Sequence, residues 1–430
     1  MSEPFVLLPA LYAERIDASG KNSGTLDLKF DAAEQVAVVD GFRGGRDGGR
    51  RQGLSDVPPK HYLAFATTQP GMGLWFRVKP ELHLLGVEAT RRDSGIGIST
   101  FRQHVVGGDW IQPGLHAYTL ALTVSEPSNP GEPRFAAWRL QPDKDMAIRV
   151  QTEVVEERID LLEPLRDSWH VDELAHKTVA LIGAGSIGSA AAEALASYGI
   201  RQLALVDPDR LRSHNFARHR VHAANLGRYK VSALAKLLQE RDSCVQVEAM
   251  PIDVIYDADR VRPMLREVDA VLVSSDGVDS RRAANHLARR AAKPAVFACV
   301  LGDGAFGEIM RICPPRTGCL LCARAELIAS GGIDPEPALD LGYGTGSRHL
   351  PMTAVGGDLG LVAQLAAKIV VATLLDDLGY RDQRLPGDHA IVGLQPKPGM
   401  APPFDIERAG EVRWRPLPPP RDDCPTCGRP

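Results

Sequence analysis

Near its middle the chain reads TVALIGAGSIGSAAAEAL, an apolar strand that breaks at Gly183, Gly185 and Gly188 and continues as an Ala-rich helix. No other feature constrains the fold as much. Glycines at this GxGxxG spacing allow a tight turn and close backbone approach, and the helix that follows offers free N–H groups to a phosphate. Asp207 ends the next strand, RQLALVD, at the place expected to hold a ribose hydroxyl. The same fingerprint serves NAD, FAD and ATP, and glycines can recur for packing alone. The spacing by itself therefore leaves the ligand open.

The sequence around this motif alternates apolar strands with Ala/Leu-rich helical stretches. After RQLALVD come KVSALAKLLQERD, CVQVEAMP, DAVLVSSDG, RRAANHLARRAAK and PAVFACVL. Strand, helix, strand at this spacing predicts an α/β fold with a doubly wound, mostly parallel sheet. The first 150 residues read differently. Short apolar runs such as VAVVDGF, GLWFRV, ELHLLGVEA, AYTLALTV and RFAAWRL are separated by Gly/Pro-rich stretches, which predicts a β-rich or α+β unit. A chain of 430 residues exceeds what one core usually organises, so two domains are expected, residues 1–150 and 151–430. EERIDLLEPLRDSWHVDELAH bridges them and is expected to be helical.

Hydrophobic residues make up 44% and charged residues 24%, with a net charge of −4. Such a balance argues against a disordered chain and against nonspecific attraction to nucleic acid. There is no basic leader with a long apolar stretch and no run of about 18 apolar residues, so no membrane association and a cytoplasmic location are expected.

The run VDPDRLRSHNFARHRVHAANLGRYK resembles the signature of the ThiF/MoeB/ubiquitin-activating adenylyltransferase family: Asp-x-Asp, then Ser-Asn-Leu-x-Arg-Gln, then Gly-x-x-Lys. The resemblance extends over about residues 155–430 and implies a Rossmann-like ATP site. By it, Asp207 holds the ribose, and Asn215, Arg218 and Lys230 contact the phosphates. His214, Phe216 and His219 depart from the signature's Ser, Leu and Gln. In VLVSSDGVDSRRAAN, Asp276 ends an apolar strand where the family places the aspartate that holds Mg²⁺; it is also positioned to cap the next helix. Arg158 lies where family members carry an arginine that reaches a nucleotide, often across a dimer interface, although a surface ion pair is an alternative and Arg166 a substitute. Arg218, Lys230 and Asp276 are thus the candidate catalytic residues.

Seven cysteines suit no disulfide framework, and four form two CxxC knuckles, Cys319 with Cys322 and Cys424 with Cys427. Two thiolate pairs complete the S₄ shell of a structural zinc, and the long spacing matches the family, where the second knuckle returns from the C-terminus. Redox activity is the alternative, but neither pair sits at the turn of a thioredoxin motif. The Gly/Pro-rich segment from Gly331 to Pro351 resembles the family's crossover loop. No cysteine occurs between Ala323 and Asp423, and Cys244, Cys299 and Cys313 read as small buried residues.

The resemblance implies an adenylyltransferase that uses ATP, Mg²⁺ and Zn²⁺. It would activate the C-terminal carboxylate of a small ubiquitin-like or sulfur-carrier protein, release pyrophosphate, form no internal thioester unless Cys299 or Cys313 is exposed, and act as a homodimer. Alternatives are adenylation of a small molecule, peptide or tRNA-attached group, and a noncatalytic scaffold subunit. Residues 1–150, which hold no cysteine, read as a partner-binding or substrate-recruiting module.

Overall fold

The computed structural model describes residues 5–44, 52–53, 69–92, 94–107, 120–127, 129, 132–156, 160–332 and 354–428. Its contacts divide the chain into two units, Met1–Ile159 and Asp160–Pro430.

The first unit is β-rich. Its elements are β1 (Phe5–Pro9), α1 (Ala10–Ala18), β2 (Ser23–Asp31), β3 (Val36–Gly44), β4 (Gln52–Gly53), β5 (Gln69–Arg77), α2 (Glu81–Arg91), β6 (Ile96–Gly97), α3 (Ile98–His104), β7 (Leu120–Val124), β8 (Phe135–Gln141) and β9 (Met146–Val155). The strand order is β1-β3-β2-β5-β7-β8-β9-β6, and β1 also pairs with β9, so seven strands close into a ring. Period-2 alternation along the strands builds two cores, as side chains on successive residues point to opposite faces. One face gathers Val6, Leu8, Leu26, Trp75 and Leu122 with Tyr12 and Ile16 of α1. The other packs Phe76, Trp138 and Leu140 against Leu82 of α2 and Phe101 of α3. ELHLLGVEA, one of the apolar runs, is helical and forms most of α2, burying Leu82, His83 and Gly86.

The second unit comprises α4 (Val171–Ala175), β10 (Thr178–Ile182), α5 (Ser186–Tyr198), β11 (Gln202–Val206), α6 (Lys230–Arg241), β12 (Gln246–Met250), α7 (Ala258–Glu267), β13 (Ala270–Val273), α8 (Val278–Arg290), β14 (Ala295–Leu301), β15 (Phe306–Ile312), α9 (Leu320–Ala329), α10 (Gly356–Asp377), β16 (His389–Gly393) and β17 (Val412–Arg415). The sheet runs β12-β11-β10-β13-β14-β15-β16-β17. Strands β10 to β14 are parallel, and β15 to β17 extend the sheet antiparallel. Buried parallel strands explain the unbroken apolar runs VALI and AVLV. The order reverses between β10 and β13, which makes their carboxyl ends the switch point where such sheets bind ligands.

The bridging stretch, expected to be helical, is helical only in part among its described residues. Asp160 captures the Leu162 N–H at 3.1 Å, Pro164 restrains the residue before it, and among the described residues only α4 is helical beyond a single 3-10 turn. Helix α10 is long and apolar enough to cross a bilayer, with mean hydropathy 1.7, yet 67% of that window is buried. It packs on α5 and β14 through Val362, Ala366, Ile369 and Val370.

Candidate functional site

The three glycines of the loop after β10 do different work. Gly183 has φ +99°, and a Cβ there would stand 2.6 Å from the Ser275 backbone nitrogen. A Cβ on Gly188 would meet the Gly183 carbonyl oxygen at 1.9 Å. Both are needed for close packing, and Ser274 Oγ secures the turn by donating to the Gly183 oxygen at 2.9 Å. Gly185 differs: it is the N-cap of α5, and a Cβ on it would meet nothing within 4 Å. The first turn of α5, with its unpaired N–H groups and positive dipole end, therefore opens onto free space beside this glycine.

Asp207, one residue past β11, anchors the loop. Its carboxylate accepts the Ala184 N–H at 2.7 Å and the Asp209 N–H at 2.8 Å. Burial pushes its pKa up, while Lys230 and the two N–H donors pull the other way. Lys230 begins α6 and is brought back to this point because its N–H bonds the Asp209 carbonyl at 2.9 Å, and the Arg210 guanidinium lies 3.8 Å over the Tyr229 ring. Lys230 Nζ stands 2.7 Å from Asp209 and 3.9 Å from Asp207. Burial works against its charge, but Asp207, Asp209 and Asp276 outweigh that and raise its pKa.

Asp276 is exposed beyond the carboxyl end of β13. The N-cap position of α8 is taken by Gly277, one residue after Asp276. Asn215 and Arg218 lie on the 3-10 segment Ser213–Ala217 and just after it. Asn215 Oδ1 accepts the Arg212 N–H at 2.8 Å and so shapes the turn. Arg218 Nε is buried and finds no hydrogen-bond partner among the described residues. Arg218 also lines a cavity of about 420 Å³ with His219, Arg220, Gly356, Gly357 and Gly360. Arg158 and nearly all of the expected crossover loop lie outside the described residues.

His219, which the sequence marks as a mismatch to glutamine, is part of the site. Its Nδ1 accepts the Val221 N–H at 3.1 Å, so the proton resides on Nε2, which donates to the Ala184 carbonyl at 2.8 Å. A glutamine amide has the same donor and acceptor. Burial lowers the His219 pKa to about 4, which keeps the ring neutral at pH 7.

The four cysteines of the two knuckles converge. Their Sγ atoms all lie within 4.8 Å of one another, with Cys319 to Cys424 at 3.6 Å, Cys322 to Cys427 at 3.8 Å and Cys319 to Cys322 at 3.9 Å. A tetrahedral ion with metal–sulfur bonds of about 2.3 Å requires edges of about 3.8 Å. The donor set thus fits a four-coordinate ion with no open position. Asn285 packs against this centre: its Oδ1 accepts the N–H of Leu320, the residue after Cys319, at 3.0 Å, and its buried Nδ2 has no partner among the described residues. Cys299 and Cys313 are buried, and burial pushes the Cys313 thiol up.

A ThiF family profile matches residues 161–383, just over half of the chain. The chain belongs to the ThiF family. The resemblance read in the stretch from Asp207 to Lys230 is thereby borne out, and the glycine loop, Asp207, Arg218, Lys230 and Asp276 all fall inside the matched region. Similar proteins include ubiquitin-like modifier-activating enzyme 5 of Oryza sativa subsp. japonica, 25% identical over 281 residues, covering 62% of this chain and 65% of that one. The chain thus spans somewhat less than two thirds of the rice relative. The Drosophila melanogaster enzyme of the same name is 27% identical over 291 residues, covering 64% and 70%. The structure of E. coli MccB with ATP is similar at 18% identity and a TM-score of 0.45, covering 60% of this chain and 69% of that one.

Proposed function

We propose that this ThiF family chain adenylates the C-terminal carboxylate of a small ubiquitin-like or sulfur-carrier protein with Mg-ATP. The observation that carries this reading is the convergence of Gly185, Asp207, Lys230 and Asp276 at the switch point; Arg218, whose buried Nε has no partner among the described residues, lines a cavity with His219. Asp207 holds the ribose. The open first turn of α5, Asn215, Arg218 and Lys230 receive the phosphates. Asp276 holds magnesium, which would neutralise phosphate charge when bound. A substrate carboxylate oxygen attacks the α-phosphorus, the bond from that phosphorus to the bridging oxygen breaks, and the electron pair leaves on pyrophosphate. The carboxylate is already the nucleophile, so no general base is required. Positioned cations stabilise the charge that develops, and each is worth about 10²–10³ in rate.

Burial of Cys299 and Cys313, together with the absence of cysteine between Ala323 and Asp423, supports an adenylate that is passed on without an internal thioester. The four-cysteine centre is read as structural zinc, because its thiolates leave no position for substrate. A cytoplasmic homodimer, with Arg158 reaching the partner's nucleotide, completes the reading. Intact-mass analysis tests it. A candidate protein ending in Gly-Gly, incubated with the enzyme, ATP and Mg²⁺, gains one AMP at its C-terminus and loses it to added thiol. Robust ATP binding with no adduct on any candidate contradicts the protein substrate.

A further inference from the structure

Helix α8 starts two residues after Asp276 and carries Asn285, only 2% exposed, on its inner face. The two ends of this amide meet different groups. Oδ1 accepts the N–H of Leu320 at 3.0 Å, at the first residue of α9 and directly after Cys319. Nδ2 is buried and lacks an acceptor among the described residues, while the N–H that its sister oxygen holds belongs to the residue directly after Cys319. A buried donor of this kind demands a partner, and a metal-bound thiolate carries the charge to be one. One turn further on, Arg289 Nη1 donates to the Thr317 carbonyl at 3.0 Å, two residues before Cys319. Helix α9 is in turn pinned to the sheet, since Arg324 Nη1 donates to Glu308 at 2.8 Å.

We propose that Asn285 is a positioning residue that joins the four-cysteine centre to the ATP site: Nδ2 donates to the metal-bound Cys319 sulfur, Oδ1 holds the Leu320 N–H, and the joint fixes α8 and hence Asp276. This rests on reading the cysteines as a zinc site and Asp276 as the magnesium aspartate. Occupancy of a distant structural metal then sets how well the nucleotide site takes Mg-ATP. Partners just outside a metal's ligands typically change affinity about 10–100-fold when lost.

The test uses full-length protein purified with its metal and needs no acyl transfer. Zinc content is weighed, zinc release to a colorimetric chelator is timed, and Mg²⁺ is titrated against binding of a nonhydrolysable ATP analogue. Asn285→Asp keeps the acceptor for Leu320 and removes the donor to sulfur. It should release zinc about tenfold faster or more and raise the Mg²⁺ midpoint several-fold. Chelated wild-type protein should reach the same midpoint, and chelation should shift the variant little further. Should Asn285→Asp not fold, Arg289→Met is read the same way, with smaller changes of the same sign. Wild-type protein without zinc, a wild-type release rate in the variant, or faster release with an unchanged Mg²⁺ midpoint would each overturn the proposal.

Discussion

Asp207 and Glu308 are both buried carboxylates on the same sheet, but their surroundings sort them into different roles. Glu308, in β15, meets the Arg324 guanidinium and His389 Nε2, the latter at 3.0 Å. Burial alone would raise its pKa, but Arg324 and His389 outweigh it and draw it down to about 2. Asp207, at the end of β11, has two backbone donors and only a distant share of Lys230, and its pKa is pushed up. Glu308 is saturated by partners that point inward and belongs to the scaffold. Asp207 belongs to a cluster in which one lysine answers three carboxylates, a balance that the proposed triphosphate would take over. Burial of a charge does not mark function; incomplete closure of its partners does.

The strongest test of this contrast is Glu308→Gln. It strands the Arg324 guanidinium in the core, and urea unfolding should show a loss of about 3–5 kcal/mol. A loss below about 1 kcal/mol would erase the distinction. Lys230→Met should behave in the opposite way, lowering adenylate formation about 10²–10³-fold, or about 2.7–4 kcal/mol of transition-state stabilisation, with a much smaller change in the unfolding midpoint.

Acid sharpens the comparison further. His219 has a folded pKa near 4, below its ordinary 6.5, so the unfolded chain binds the proton first and stability falls as pH drops from about 6.5 towards 4. The contribution at stake is up to about 3 kcal/mol. His219→Gln keeps both hydrogen bonds, so melting temperatures followed from pH 7 to pH 4 should fall less in the variant than in the parent. Glu308 acts at lower pH: its stabilisation is present above about 4.5 and is lost as pH falls towards 2. The smallest change in stability is expected for Gly185→Ala, since its φ of −79° and open surroundings suit alanine. Denaturation should move by less than about 1 kcal/mol, while ATP titration shows weaker binding because the methyl group stands at the mouth of α5.

Much of the candidate site was legible because its physics is local. A strand, a glycine turn and a helix N-terminus lie within fifteen residues, and CxxC pairs announce themselves by spacing. The rest depends on contacts that sequence separation hides. His219 read as a departure from the signature because residue type, not donor and acceptor pattern, was compared. The pairing of Glu308 with Arg324 across sixteen residues, which fixes α9, has no local signal in the sequence. The β-rich character of the first unit followed from its alternating apolar runs, whereas its ring depends on β1 pairing with both β3 and β9, more than a hundred residues apart in the latter case. The bridging stretch is helical only in part because Asp160 and Pro164 impose turns before α4.

ATP–pyrophosphate exchange tests the central claim most directly. Purified protein with a partner ending in Gly-Gly should exchange labelled pyrophosphate into ATP. Exchange should require the partner and vanish in Asp276→Ala, whose Asp207, Lys230 and cysteine centre remain in place. Exchange that persists in Asp276→Ala, or ATP binding without exchange for any carboxylate partner, would contradict the account.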